Sequence, residues 1–235
     1  MNTGKMDIVY FVKDGTHNEE FRHSLRSVCK NKPNHGRIWV FGGCPRSIVP
    51  DFRVRVHQEG KTKWDKVRAM FRMAATNKEI TDDFILFNDD FFIMQPMNEI
   101  KPLYRCTLDN HIEILDNVYK NSSYSRIVKE VRDELKKTVD EPLSYELHVP
   151  FVFNKQKLLK LIDEYPAQHC TRTLYGNLYG IGGEQSNDVK IFSHNPPFDY
   201  KASPLLSTDD GVINVNNDIW RYIRNQFKSK CEYEI

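Results

Sequence analysis

Apolar residues recur along the chain with two different spacings, which predicts an alternation of strands and helices. Short runs of strand-forming residues occupy positions 8–12 and 37–41, and each run ends in a turn that contains glycine. Between them, Phe21, Leu25 and Val28 have the spacing of one helix face. A strand, a helix and a second strand form the unit of a parallel α/β sheet, so we predict that fold class.

The same alternation continues towards the C-terminus. Alternating apolar and polar residues predict strands at 52–57 and 146–153, and a late strand is predicted at 188–194. A highly charged segment from about 110 to 138 carries apolar stripes at helical spacing, which favours a helical insertion or lid over a site. No repeat and no convincing linker is visible, so we predict that residues 1–235 form one domain.

The central apolar stretch, residues 84–94, is interrupted by Asn88, Asp89 and Asp90. Two adjacent carboxylates between apolar runs repel each other and lose hydration unless a cation or hydrogen-bond donors compensate them. Magnesium sites commonly use one or two carboxylates together with substrate phosphates. We therefore predict a metal–diphosphate site here, with a solvent-exposed turn as the alternative.

The turns after the predicted strands should lie at one edge of the sheet. In open parallel sheets, ligands bind beyond the carboxyl ends of the strands. That rule brings residues 13–15 and 42–43 to the same edge as the Asn88–Asp90 segment. The edge is therefore the predicted ligand site.

Composition narrows the class of protein. The chain has 235 residues, 40% hydrophobic and 28% charged, which is typical of a globular protein with a full core. A net charge of +2 requires no polyanionic partner, although the basic run from 53 to 72 is compatible with a DNA backbone or with ordinary surface charge. No apolar run approaches the roughly 20 residues of a membrane span. Five widely spaced cysteines without a CxxC pair indicate reduced thiols, so we expect a cytoplasmic protein.

Two glutamates and two histidines are candidates for chemistry. Alternation places Glu146 and His148 on one side of a predicted strand, where they could act as general base, metal ligands or substrate hydrogen-bonders. The alternative for His148 is a structural histidine. Glu184 follows a glycine-rich segment, where backbone can approach a ligand closely. His194 ends the late predicted strand and is the alternative to His148 as a histidine ligand of the metal.

Three segments resemble a known family. Residues 7–15, 21–28 and 84–92 resemble Stealth-type proteins, which include bacterial capsule hexose-1-phosphate transferases and lysosomal-enzyme N-acetylglucosamine phosphotransferases; residues 146–150 match more loosely. More broadly, the pattern is similar to GT-A-fold glycosyltransferases, in which an Asp-x-Asp-like motif holds Mn²⁺ or Mg²⁺ on a nucleotide sugar. Asn88 stands where that motif has its first acid, which leaves Asp90 as the main metal ligand.

The resemblance implies a GT-A-like, Rossmann-like sheet, mixed but mostly parallel, flanked by helices. It also implies a metal-dependent transfer of sugar from a nucleotide-diphosphate sugar to an acceptor hydroxyl. The size of the chain and its ending also resemble single-domain transferases of phage genomes, which adds a hydroxylated nucleobase in DNA to saccharides as a candidate acceptor. The alternatives are a Stealth-type sugar-1-phosphate transferase and a non-catalytic sugar- or DNA-binding module.

The same resemblance suggests roles for individual residues. We expect Asp90, Asp89 and His194 to hold Mn²⁺ or Mg²⁺, and His148, Glu146 or Glu184 to activate the acceptor. Lys63 or Arg26 would assist the leaving diphosphate. The residues expected to bind the donor are Val12, Lys13, Asp14, Arg26, Gly42, Lys63, Asn88 and Asp89.

Overall fold

The computed structural model describes residues 5–13, 15, 17–32, 34–56, 62–119, 122–192, 196–214 and 218–235. Within these residues, short strands alternate with helices from one end of the chain to the other. The strands are β1 (Asp7–Val12), β2 (Ile38–Gly42), β3 (Phe52–Val54), β4 (Asp83–Asn88), β5 (Phe91–Ile93), β6 (Leu103–Tyr104), β7 (Phe151–Asn154), β8 (Glu184–Gln185), β9 (Lys190–Ile191) and β10 (Leu205–Thr208).

The helices begin at side chains that can cap them. Asn18, Thr62, Thr107, Ser122 and Asn154 each accept a hydrogen bond from a backbone N–H of the first turn, which satisfies a donor that the helix itself leaves unpaired. The helices are α1 (Glu19–Asn31), α2 (Lys63–Thr76), α3 (Leu108–Val118), α4 (Ser123–Leu135), α5 (Lys155–Glu164), α6 (Thr171–Leu178), α7 (Asp210–Asn214) and α8 (Asp218–Gln226).

The central sheet has five strands in the order β3-β2-β1-β4-β7. The first four are parallel, and β7 runs antiparallel to β4. This confirms the predicted fold class, a mixed and mostly parallel sheet flanked by helices. The chain crosses from β1 to β2 on one side and later adds β4 on the other side. The strand order therefore reverses between β1 and β4, the place where open α/β sheets bind ligands.

Helices cover both faces of the central sheet. Successive side chains of β1 point to opposite faces, so neighbouring residues pack on different helices. Tyr10 packs on Phe21 of α1 with ring centroids 5.0 Å apart. Its neighbour Phe11 packs on Phe71 of α2, also at 5.0 Å. All six residues of β1 are buried, which explains why its sequence reads as a continuous apolar run rather than an alternating one.

The registers of the paired strands bring the predicted residues together at one edge of the sheet, as expected. Val12 lies beside Gly42, and Phe11 lies beside Asn88. Gly42 adopts a positive φ of 101° at the end of β2, a conformation that favours glycine. The ends of β1, β2 and β4 therefore form one edge, from which Asp89 and Asp90 follow directly.

A second, three-stranded sheet completes the surroundings of this edge. Its order is β5-β10-β9, with β10 antiparallel to β5 and parallel to β9. Because β5 begins directly after Asp90, this sheet brings Lys190 of β9 to the Asp90 carboxylate and the N–H of Thr208 of β10 to the Asp90 carbonyl oxygen. Residues about 100 positions apart in sequence thus meet at one place.

The predicted strand at 146–153 is wrong for its first half. The strand begins only at Phe151, because the preceding segment satisfies its backbone with side chains instead of a strand partner. The carbonyl oxygens of Leu147 and Val149 accept hydrogen bonds from Arg172, and the N–H of His148 donates to Asp188. Of the strands predicted at 52–57 and 188–194, the described residues form strand only at Phe52–Val54 and Lys190–Ile191, and residues 57, 193 and 194 lie outside the described ranges.

Helices α3 and α4 lie largely within the segment where a helical insertion was predicted. They pack on each other and contribute Leu108, Ile112, Val128 and Val131 to the core on one face of the central sheet. That they form a lid, and that residues 1–235 form a single domain, stay predictions. No helix in the described ranges combines the length and the apolarity needed to cross a membrane.

Candidate functional site

The carboxylate pair lies in the turn between β4 and β5, beside the start of α1. The side chain of Asn18 caps α1 by accepting a hydrogen bond from the N–H of Phe21 at 2.8 Å. Its amide nitrogen donates to Asp89 Oδ2 at 2.7 Å. One amide therefore fixes the helix start and one carboxylate together, and the positive end of the helix dipole faces the site.

Asp90 is held from the opposite side by the second sheet. Its Oδ2 atom forms an ion pair with the ammonium group of Lys190 and accepts a hydrogen bond from Ser207 Oγ at 2.9 Å. The same ammonium donates to the carbonyl oxygen of Thr208. The described residues supply no hydrogen bond to Asp90 Oδ1, so that oxygen stays available to a ligand.

A third carboxyl group, Glu20, lies buried behind the pair. Thr208 Oγ1 donates to Glu20 Oε1 at 2.7 Å. Burial, reinforced by the negative charges of Asp90 and Asp89, raises the pKa of Glu20 to about 8. Burial and the charge of Asp90 likewise raise the pKa of Asp89 to about 6. The three carboxyl groups are therefore too buried and too close together for all of them to ionise at neutral pH.

Replacing Glu20 by glutamine is expected to flatten the pH dependence of stability. With a folded pKa of about 8 and an ordinary value of 4.5, Glu20 binds a proton in the folded chain and loses it on unfolding. Stability should therefore fall as pH rises from about 5 to about 8, by at most about 1.4 kcal/mol per pH unit. Urea unfolding across this pH range, in buffers that contain EDTA, measures how stability depends on pH. Glu19→Gln, one residue away and exposed, should keep the wild-type slope; parallel curves for all three proteins would contradict the assignment.

His148 is oriented by Asp188, which the sequence did not single out. Its Nδ1 atom lies 2.9 Å from Asp188 Oδ2, and its backbone N–H donates to Asp188 Oδ1 at 3.1 Å. Although burial alone would raise the pKa of Asp188, hydrogen bonding and charge interactions with His148 and Arg105 lower it well below its usual range. Asp188 is therefore a carboxylate that can only accept, so Nδ1 of His148 is the donor in this contact, which leaves Nε2 to face a ligand.

An exposed aromatic ring connects the two halves of the site. The ammonium of Lys190 lies 5.9 Å from the ring centre of Phe192, and the imidazole of His148 meets the same ring edge-on at 6.2 Å. Phe192 is 62% exposed. The spatial order across the site is therefore Asp90, Lys190, Phe192 and His148. The solvent-exposed ring of Phe192 lies between the carboxylate–ammonium pair and the imidazole.

Arg172 is a buried cation that supports the loop carrying His148. Its Nη1 donates to the carbonyl oxygens of Leu147 and Val149, the latter at 2.9 Å. The guanidinium also lies against the rings of Phe91 and Phe151, at 5.4 and 5.9 Å from their centres. Burial lowers the pKa of Arg172, and nearby carboxylates oppose that effect. The arginine therefore fixes the loop by hydrogen bonds that no strand partner supplies.

Arg172→Met is expected to lower the free energy of unfolding by about 2–4 kcal/mol, because two buried carbonyl oxygens lose their donor at a typical cost of about 1–3 kcal/mol each. Chemical denaturation measures the effect. Arg126→Met on α4, which is exposed, is the matched control and should change stability by less than about 0.5 kcal/mol. Equal stabilities for both variants would mean that the loop does not depend on Arg172.

Several residues expected at the site lie elsewhere. Arg26 is about 12 Å along α1 from Asn18 and binds Glu234 through two hydrogen bonds of 2.6 and 2.7 Å, so its role as a donor-binding cation stays a prediction. Lys63 is exposed at the start of α2, with its ammonium 5.7 Å from the ring of Trp64. Glu184 is exposed and pairs with Lys101 at 3.0 Å. Asp14 and His194 lie outside the described residues.

Other predicted positions are close to the carboxylates. Val12, Lys13, Gly42 and Asn88 end or follow the parallel strands at the edge, and Lys13 is exposed there. Glu146 accepts a hydrogen bond from the N–H of Thr173 at 3.2 Å, at the start of α6. It is two residues from His148, but the two do not share a strand face.

Part of the basic run from 53 to 72 is engaged within the protein, as its described residues show. Arg68 donates to the carbonyl oxygens of residues 162, 165 and 168, and Arg72 pairs with Asp163 at 2.7 Å. Arg53 donates to the carbonyl oxygen of Ile48. Three of its arginines are therefore engaged within the protein, which weakens the prediction that this run binds DNA.

The oxygen donors at the edge fit a divalent cation that arrives with its ligand. Asp89 and Asp90 offer the hard oxygens that Mg²⁺ and Mn²⁺ prefer. Burial, and after it the charge of Asp90, raises the pKa of Asp89, and a bound cation would oppose both effects. Among the residues that the structure describes, no three His, Cys, Asp or Glu side chains form a ready-made metal cage. One or two carboxylates completed by phosphates are nevertheless a common magnesium site.

Comparison with known proteins gives matches at the level of structure. No family model and no curated protein matches the chain. The crystal structure of the galactosyltransferase LgtC with donor and acceptor sugar analogues aligns over 97% of this chain and 98% of that chain, with 11% identity and a TM-score of 0.49. An active-site mutant of LgtC aligns over the same shares at 11% identity and a TM-score of 0.51. This chain shares the fold of LgtC.

The LgtC fold confirms the GT-A-like architecture expected from the sequence. At 11% identity it shows the fold alone, so the Stealth-type and phage resemblances stay predictions. The residues that sequence reasoning missed are Glu20, Arg172, Asp188 and Lys190. Only the last two carried a signal, since they lie in a polar segment that begins a predicted strand.

Proposed function

We propose that this protein is a glycosyltransferase that takes a sugar from a nucleotide-diphosphate donor at the carboxyl edge of β1, β2 and β4. The observation that carries the proposal is the pair Asp89 and Asp90, with Glu20 behind it, at the position where the strand order reverses. The LgtC fold supports a transferase at a coarse level. Two adjacent carboxylates at this edge suit a donor that brings its own cation.

On the donor side, the nucleoside would lie against the ends of β1 and β2, near Val12, Lys13 and Gly42. Asp90, through its available Oδ1 atom, and Asp89 would hold Mn²⁺ or Mg²⁺. That cation would neutralise the charge of the leaving diphosphate. Lys190, already paired with Asp90, keeps an ammonium close to the same phosphates and limits the repulsion between them and the carboxylates.

On the acceptor side, His148 is the proposed general base. Its Nε2 atom takes the proton of the acceptor hydroxyl while the acceptor oxygen bonds to the sugar carbon and the bond from that carbon to the phosphate oxygen breaks. Asp188 keeps the ring in the tautomer that leaves Nε2 free. The exposed ring of Phe192 offers an apolar surface on which a sugar ring can rest, between the donor and the base.

Sugar-1-phosphate transfer is the second candidate, and the cations around His148 favour it. Arg105 pairs with Asp188, Lys190 pairs with Asp90, and Arg172 is buried nearby, so three cations lie around the two halves of the site. Charge on a transferring phosphoryl group is stabilised by such cations. In this case the same base would deliver the acceptor oxygen to phosphorus, and a nucleoside monophosphate would leave.

Hydrolysis of nucleotide sugars tests both candidates. Slow release of nucleoside diphosphate, dependent on Mn²⁺ or Mg²⁺ and abolished by EDTA, supports glycosyl transfer; release of nucleoside monophosphate supports phosphoglycosyl transfer. A thermal-shift panel of nucleoside diphosphates identifies the base, because a ligand at 100 times its Kd stabilises the fold by about 2.7 kcal/mol. Binding of nucleotide sugars without any turnover would identify a non-catalytic binding module and contradict the proposal.

A further inference from the structure

Two helices on the side of the protein away from α2 present cations to each other across an open cleft. Arg22 and Arg26 follow each other at one-turn spacing on α1. Opposite them, Arg221 and Arg224 lie on α8, and Lys228 follows just after its end. These five cations, together with Glu19, line a cleft of about 490 Å³. We call it the α1/α8 groove.

The groove continues beyond these residues. A second cleft of about 430 Å³ shares Arg26 and Lys228 with the first and adds Lys30 and Lys230. Arg22, Arg26 and Lys30 span about 12 Å of α1 at four-residue intervals. Both clefts are open to solvent and lie end to end, which suits an extended ligand rather than a compact one.

The cationic charge of the groove is only partly used within the protein. Arg26 binds Glu234, whose side chain is 3% exposed and therefore shielded beneath it. Arg22 pairs with Glu19 at 2.8 Å and Arg221 with Asp218, which is 83% exposed. Arg224 and Lys228 are exposed and form no ion pair with any described residue. Burial lowers the pKa of His23 at the floor of the groove, and the positive charges of Arg26 and Arg224 lower this pKa further.

The walls of the groove are fixed relative to each other. Arg26 donates to the carbonyl oxygens of Phe227 and Lys228 at 3.0 and 3.2 Å, and Lys30 donates to that of Gln226 at 3.1 Å. These bonds tie α1 to the segment after α8. The unpaired cations are consequently presented on a preformed surface, and a ligand would not need to order them first.

We propose that the α1/α8 groove binds a linear chain of phosphate groups, such as a nucleic-acid single strand or polyphosphate, through its backbone charges. The unpaired Arg224 and Lys228 lie beside the partly engaged cations of α1, so positive charge follows the length of the groove. Among the described residues, no exposed aromatic side chain lines it to stack on bases. Recognition is therefore independent of sequence and strongly dependent on salt. The groove is separate from the nucleotide site, so this inference does not depend on the proposed transferase activity.

Binding of a fluorescent oligothymidylate, followed by anisotropy over a range of salt concentrations, tests the groove. The logarithm of the binding constant should fall linearly with the logarithm of salt, by about 0.7 per phosphate contact. The double variant Arg224→Gln/Lys228→Gln should bind at least about tenfold more weakly and should reduce the slope by about 1.4, the share of two contacts. Inorganic polyphosphate should compete, and the probe that remains bound at higher salt identifies the source of the phosphate chain.

The control variant removes two positive charges from a surface outside the groove. Lys157→Gln/Lys160→Gln on α5 changes two exposed lysines that are not part of the groove, and its affinity and salt slope should equal those of the wild type. Equal losses in the two variants, or unchanged binding in the groove variant, would overturn the proposal. Failure of polyphosphate to compete would overturn it as well, because the phosphate chain would not then be what is recognised.

Discussion

Asp90→Asn is expected to weaken donor binding by at least about 100-fold and to destabilise the fold. The first effect follows because Asp90 is the proposed cation ligand, and even the loss of an outer partner of a metal ligand costs about 10–100-fold. The second follows because Lys190, with its side chain 11% exposed, would lose its carboxylate. Breaking a largely buried pair by removing one partner costs up to about 3–5 kcal/mol.

A double variant separates these two effects. Asp90→Asn/Lys190→Met removes both charges, so most of the lost stability should return while donor binding stays weak. Titration of Mn²⁺ and a nucleoside diphosphate gives the affinities, and urea unfolding gives the stabilities. Asp83→Asn, at the exposed opposite end of the same strand, is the control and should behave like the wild type. Wild-type donor affinity in the double variant would remove Asp90 from the donor site.

The parts of the fold that the sequence predicted well are those set by local pattern. β1 and β4 are buried on both faces, so their apolar runs were unambiguous, and Phe21, Leu25 and Val28 showed the buried face of α1. The segment 146–150 failed because alternation was its only signal. A buried arginine 22 or more residues away supplies its hydrogen bonds, and nothing in the local pattern records that contact.

The candidate site also contains residues that the local pattern predicts and residues that only long-range contacts bring in. Asn88, Asp89 and Asp90 were found because polar residues interrupt an apolar stretch. Glu20, in contrast, looks like an ordinary acidic residue of a helix first turn, and only β10 packing over it makes its carboxyl group buried. Lys190 meets Asp90 across 100 residues, and the sequence gives no spacing rule for such a pair. Long-range neighbours therefore decide the charge of this site, and they require the fold.

His148→Ala is expected to lower turnover by about 10²–10⁴-fold with donor affinity nearly unchanged. The reason is that Nε2 of the imidazole is the proposed proton acceptor, whereas the donor is held by Asp89 and Asp90. Steady-state kinetics on the best nucleotide sugar, together with nucleotide titration, measures the two quantities separately. If His148 instead completed a metal shell, metal affinity would fall together with turnover, and this difference distinguishes a base from a ligand.

Asp188→Asn examines the positioning of that base. Asparagine can still accept the N–H of His148 through Oδ1, but its amide group faces Nδ1 and Arg105 where a carboxylate stood. The ring then loses the partner that fixes its tautomer, so turnover should fall while the folded structure and donor affinity are kept. His35→Ala, at the opposite end of the parallel strands, should leave turnover unchanged. Should His148→Ala retain wild-type turnover and lose only melting temperature, His148 would be a structural residue, and the proton would have to leave by another group.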